Sequence, residues 1–158
     1  VTPAEFSARI LIPSVARFPF RDSPEARALL LAIAGVESGW TARYQLGGPA
    51  LGFWQFEPNG IQAVLDHPAS GDVLRAFCAE CEVKPTLLDE ALAWHDGLAY
   101  ACARLLLWTD PAPLPAIGDQ AAGWAYYERL WRPGKPDAAR WATRYAEAFH
   151  IIAAPAVA

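Results

Sequence analysis

The chain reads as mainly α-helical, with one small β or irregular region after the first long helix. Three observations predict this. The apolar content is mostly Ala, Leu and Trp rather than β-branched residues, which favours helices. Helix start and stop signals bracket the apolar runs, as at Ser23-Pro24 and Gly39. The breakers Gly47, Gly48, Pro49 and Gly52 gather in residues 40–56, between helical stretches. With 158 residues, 54% hydrophobic and 19% charged, residues 1–158 form one domain able to bury a core, not a disordered chain.

Each element has a local reason. Ser23 is an N-cap and Pro24 suits the first helical position, so a helix spans 24–38 and Gly39 ends it. Residues 40–56 are the place for a small sheet or an ordered loop. Helices follow at 59–67 and 71–81. A longer one, 85–108, starts near Pro85 and stops before "DPAPLP", whose three prolines make a rigid connector. Two more fit 118–131 and 137–151, with "RPGKP" as the turn between them. The arrangement expected is helices wrapped around one buried helix.

Charge and composition exclude several functions. The net charge is −4 and the pI about 5.3, so no basic field exists for nucleic acid. The charge is uneven. Residues 66–119 hold nine acids against three bases, whereas 128–147 hold three acids against Arg129, Arg132, Lys135, Arg140 and Arg144. That basic C-terminal face is either simply solvated or meets an anionic polymer. No apolar run reaches the ~18 residues of a membrane span, and the N-terminus lacks the basic-then-apolar order of a signal peptide. A start at Val1 with no Met reads as a piece of a longer or processed chain.

Three Cys cannot form a complete disulfide framework. Cys78 and Cys81 have C-x-x-C spacing, but no second pair follows, so reduced, partly buried thiols are expected and no metal site or cofactor. Seven Trp is many for this length. Most serve as core, though Trp is also common where sugars stack.

The segment "GVESGW" (Gly35 to Trp40) carries the chemistry. It ends the apolar run "ALLLAIAGV" in a carboxylate. Leu29, Leu30, Ile33 and Ala34 precede Glu37 by helical spacings, which puts Glu37 on the core-facing side. An acid in apolar surroundings, at a negative helix C-terminus, ionises reluctantly and can donate a proton near neutral pH. The plain alternative is a helix end facing water.

Fifteen residues after Glu37 begins Gly52-Phe53-Trp54-Gln55-Phe56-Glu57-Pro58. Glu37-Ser38 followed by this segment resembles the lysozyme-like superfamily, most closely the soluble lytic transglycosylases. Those enzymes pair E-S at a helix end with a downstream G-L-M-Q-aliphatic-x-P motif at this spacing. Phe53 and Trp54 replace Leu and Met with other large apolar side chains. The family's A-Y-N motif is matched by Ala99-Tyr100, with Ala101 where Asn is usual.

The resemblance implies a lysozyme-like helical domain with a cleft for the glycan strand of peptidoglycan and no cofactor. Glu37 is then the catalytic acid. Gln55 would hydrogen-bond near the acid or the sugar, Phe53 and Trp54 would form part of the cleft wall, and Ser38 would hold the acid or an N-acetyl group. Core packing is the alternative for Phe53, Trp54 and Tyr100. Trp124, Tyr126, Tyr127 and Trp131, beside Arg132 and Lys135, would line a distal sugar site or form a packed helix face.

Hydrolytic glycosidases use two carboxylates, whereas the lytic transglycosylases use one. Glu57 is the candidate second carboxylate, in a position that also suits a helix start. Asp66 is another acid with nothing specific in its favour. Single-acid cleavage is therefore expected, with a two-carboxylate muramidase and a non-catalytic glycan-binding or structural module as alternatives. The partner expected is the glycan strand, with neither nucleic acid nor membrane. The chain reads as a monomer or a domain of a larger protein, such as a phage-encoded wall-degrading protein or a secreted bacterial enzyme.

Overall fold

The computed structural model describes residues 1–154, and among them the elements are all helical. A helical stretch over residues 3–17, outside the helices expected from the sequence, opens the chain. α1 (Pro3–Phe6) passes through a widened turn, Ser7–Leu11, into α2 (Ile12–Arg17). Thr2 and Glu5 cap its start reciprocally, each side chain bonding the other's backbone N–H. The widened turn lies just before Pro13, which has no N–H for a carbonyl one turn back and whose ring crowds that carbonyl.

α3 (Pro24–Ser38) has the expected limits. Ser23 Oγ accepts the Ala26 N–H at 3.1 Å, and Gly39 stops the helix in left-handed backbone (φ 59°). α4 (Pro58–Asp66), α5 (Gly71–Glu80), α8 (Gln120–Trp131) and α9 (Ala138–Ala153) also fall close to expectation. The proline connector and the "RPGKP" turn separate α7 (Asp96–Thr109) from α8 and α8 from α9.

The expected helix at 85–108 is broken in two. A single 3₁₀ turn, Pro85–Leu87, leads into the short α6 (Leu88–Ala91), and α7 (Asp96–Thr109) starts afresh after residues 92–95. His95 leaves helical geometry and caps α7, its Nδ1 accepting the Leu98 N–H at 3.1 Å. The break is clamped from the 40–56 segment. Arg43 donates to the Ala93 carbonyl and pairs with both Asp96 carboxylate oxygens. Gly52, with φ 74°, lies so close that a Cβ there would meet the Leu92 carbonyl at 2.7 Å.

Residues 40–56 form an ordered loop rather than a sheet. Two isolated antiparallel bridges, Tyr44 with Leu51 and Leu51 with Phe56, are its β content. Left-handed residues at Trp40, Gly47, Gly52 and Gln55 interrupt any extended run.

Two helices, not one, are buried at the centre. In α3 every residue from Ala28 to Gly35 is buried, and in α7 every residue from Gly97 to Leu105. α3 packs against α9, which also carries α8; α7 packs against α2, α4 and α5; and α3 and α7 touch each other. Trp54, Trp141, Tyr100 and Tyr127 are the bulkiest fully buried side chains. No helix of the described residues is long and apolar enough to cross a membrane.

Candidate active site

The last turn of α3 opens into a cleft of about 1010 Å³. Val36 and Glu37 form its floor, and residues 45–60 with α4 make one wall through Gln45, Gln55, Phe56, Glu57 and Asn59. The other wall comes from α8, the turn after it and the start of α9.

The motif around Glu37 is held by a tight reversal. After Gly39, Trp40 also adopts left-handed backbone (φ 59°) and folds back onto α3. Its Nε1–H donates to the Leu31 carbonyl at 2.9 Å. The indole lies directly on Gly35, where a Cβ would come within 2.4 Å of the ring. Gly35 and Gly39 thus have separate duties, one as a seat for an indole and one as a helix stop.

Glu37 is half-buried. Because α3 is buried on all sides above it, the stripe of Leu29, Leu30, Ile33 and Ala34 does not alone place Glu37 at the cleft. What covers Glu37 comes from α8 and α9. The buried Tyr127 hydroxyl donates to Glu37 Oε1 at 2.5 Å. Burial holds the carboxyl above its ordinary pKa, while the Tyr127 hydrogen bond and the nearby Arg140 charge pull it partly back. Burial and the adjacent Glu37 push the Tyr127 phenol far up, so it stays protonated and serves as a donor. With Oε1 occupied by that donor, Oε2 is the oxygen left for a proton, and it takes no hydrogen bond from the described residues.

Gln55 lines the cleft, but its amide is committed. In left-handed backbone (φ 50°), its Nε2 donates to the Gly52 carbonyl at 2.7 Å and braces the turn. Glu57 also lines the cleft, exposed at the residue preceding α4. Asp66 lies in a separate small hollow with Asp72 and Arg75.

Four expected contacts are not made. Ser38 is buried, and its Oγ donates back to the Ala34 carbonyl at 2.8 Å instead of reaching the acid or the cleft. Trp54 is fully buried, its Nε1–H donating to the Leu30 carbonyl at 2.9 Å. Phe53 packs edge-on to Phe6 at 4.9 Å, beneath the Arg43 guanidinium. Tyr100 is fully buried against Trp54, and burial and Asp22 raise its phenol to about 12. Aromatic segments read alike as core or as sugar wall, and here burial makes them core. Trp54 still touches the site through its carbonyl, which accepts the Trp131 Nε1–H at 3.1 Å.

The C-terminal aromatics divide between the two expectations. Tyr127 and Trp131 line the cleft. Tyr126 turns away to donate to the Leu107 carbonyl, and Trp124 packs on Tyr127 and Trp141. Nothing in the sequence pairs Tyr127 with Glu37. Its spacing of three from Trp124 and four from Trp131 marks a helix face but not what that face covers.

Cys78 and Cys102 are buried thiols pushed up by burial, and Cys81 is half-buried. Among the described residues no group of His, Cys, Asp and Glu is arranged to hold a metal ion. In comparisons with protein-family models, curated proteins and solved structures, the chain matches none.

Proposed function

We propose that the chain is a lysozyme-like domain that cleaves the β-1,4 bonds between MurNAc and GlcNAc in peptidoglycan, with Glu37 as the acid and base of a lytic transglycosylase. The observation that carries this reading is the state of Glu37. It is a carboxyl whose pKa burial raises, hydrogen-bonded by Tyr127, and lining a cleft of about 1010 Å³.

Glu37 Oε2 gives its proton to the glycosidic oxygen as the bond to C1 breaks. The carboxylate left behind then takes the proton of the muramyl C6 hydroxyl, whose oxygen closes onto C1 and leaves a 1,6-anhydro sugar. The amides of Gln45 and Asn59 on the cleft wall suit N-acetyl groups and sugar hydroxyls.

The two-carboxylate alternative draws support from one observation, the presence of Glu57 in the same cleft. An inverting hydrolase would use such a pair to activate water. Against it, Glu57 lies exposed at a helix start, where a carboxylate suits the positive end of the helix.

The test is mass spectrometry of peptidoglycan digests made with the wild type and Glu37→Gln. Anhydro-muramyl ends from the wild type, and a loss of about 10²–10⁴-fold in a folded Glu37→Gln, are expected. Reducing ends would assign hydrolysis. Binding to sacculi without soluble products would assign a non-catalytic module.

A further inference from the structure

We infer that the cleft takes the carboxylates of the peptide stems, along the wall built by α8, the turn after it and the start of α9. This rests on the reading of the cleft as a peptidoglycan-cleaving site and names which form of the polymer it accepts.

The two walls differ in chemistry. Residues 45–60 contribute the amides of Gln45 and Asn59, the Gln55 side chain bound to the Gly52 carbonyl, and a single charge, Glu57. The facing wall contributes Arg129, Arg132, Lys135 and Arg140. Arg129 is committed to Asp110 at 2.7 Å. Arg132, Lys135 and Arg140 make no salt bridge among the described residues. The one acid among them, Asp137, is used as the N-cap of α9, its Oδ1 accepting the Arg140 N–H at 2.9 Å.

Arg140 faces the Glu37 carboxyl, whereas Arg132 and Lys135 line the same wall with no acidic partner among the described residues. Arg132 sharpens the point. It ends α8 in left-handed backbone (φ 49°), where glycine would be less strained, yet an arginine stands there. An N-acetylated glycan with its lactyl groups amide-linked is neutral and gives these cations no partner. Free carboxylates on the stems do, and guanidinium groups match them in shape as well as charge. The amide-bearing wall then meets sugar and the cationic wall meets peptide.

The experiment compares release of soluble fragments from three substrates. These are intact peptidoglycan, peptidoglycan whose carboxylates have been converted to amides with carbodiimide and ammonia, and intact peptidoglycan freed of phosphate polymers by hydrofluoric acid. Wild type is expected to cleave the first and third alike and the amidated form about tenfold more slowly. In an Arg132→Gln, Lys135→Gln double variant, shown by its melting curve to be folded, the rates on intact and amidated substrate converge. Equal wild-type rates on intact and amidated substrate overturn this inference while leaving the cleavage reading standing. So does a double variant that keeps the preference. A rate that falls only when phosphate polymers are removed also overturns it, assigning the wall to phosphate. Cleavage of none of the three overturns both readings.

Discussion

The hydroxyl of Tyr127 donates to Oε1 of Glu37 at 2.5 Å, across 90 positions of sequence. The Tyr127 ring is stacked on Trp141 at 5.1 Å and 12° between planes, so the donor is held by α9 as well as by α8. Three helices therefore fix one carboxyl: α3 carries it, α8 orients it, and α9 backs the orienting ring.

Tyr127→Phe keeps the ring and removes the donor. The hydroxyl favours the ionised carboxylate, so its loss lets Glu37 ionise only at higher pH. The alkaline fall of kcat/KM should move upward in pH, and the maximal rate should drop about tenfold as the carboxyl loses its orientation. A pH–rate profile of the two proteins reads both effects. An unmoved alkaline limb would show that the hydrogen bond does not act on Glu37.

Glu37→Gln should gain stability relative to the wild type as pH rises above the ordinary carboxyl value of 4.5. The sign follows from linkage. The folded-state pKa is raised, so below the ordinary value of 4.5 both states hold the proton and burial costs nothing extra. As pH rises past that value the unfolded chain ionises freely, while the folded chain must hold a costly proton or a buried charge. Wild-type stability is lost across that window, and the glutamine variant is spared. Melting temperatures of both proteins across that window, from acid to neutral pH, should diverge upward in pH.

Gly35→Ala and Gly39→Ala should differ in size and in cause. A Cβ at Gly35 meets the Trp40 ring at 2.4 Å, so the indole must shift and its bond to the Leu31 carbonyl weakens. Overpacking with loss of a buried hydrogen bond costs about 2–4 kcal/mol. A Cβ at Gly39 meets nothing within 4 Å and pays only for left-handed backbone, about 1 kcal/mol. Urea unfolding gives both differences, and Trp fluorescence should change in the native state of the Gly35 variant.

Trp54→Ala should destabilise by about 3–5 kcal/mol through the cavity it leaves. Because Trp54 is fully buried, the variant's KM for glycan should stay near the wild-type value wherever the protein remains folded. A raised KM with unchanged stability would put the indole at the substrate.

The limits of α3 were readable because their causes are local: Ser23 and Pro24 begin it and Gly39 ends it within a few residues. Glu37 was readable for the same reason, as a charge closing an apolar run. The break between α6 and α7 was not, because it depends on Arg43 and Gly52, tens of positions away. For Ser38 and Trp54 the sequence does not decide, because a hydroxyl or an indole beside a motif looks the same whether it faces a carbonyl or a ligand. The Ala34 and Leu30 carbonyls decide those cases, and only folding brings them near.

From the sequence alone came the helical class, most helix boundaries and the helix stop at Gly39 that leaves Glu37 in the last turn. These follow from capping, periodicity and chain breaks, which act over one or two turns. Tertiary structure decided which aromatic side chains are core, which phenol meets the acid, and which of the 128–147 cations line the cleft. Those outcomes depend on how α8 and α9 dock on α3. Docking is governed by the summed burial of many side chains, and it brings Tyr127 and Arg140 to Glu37 with no local signature of the meeting.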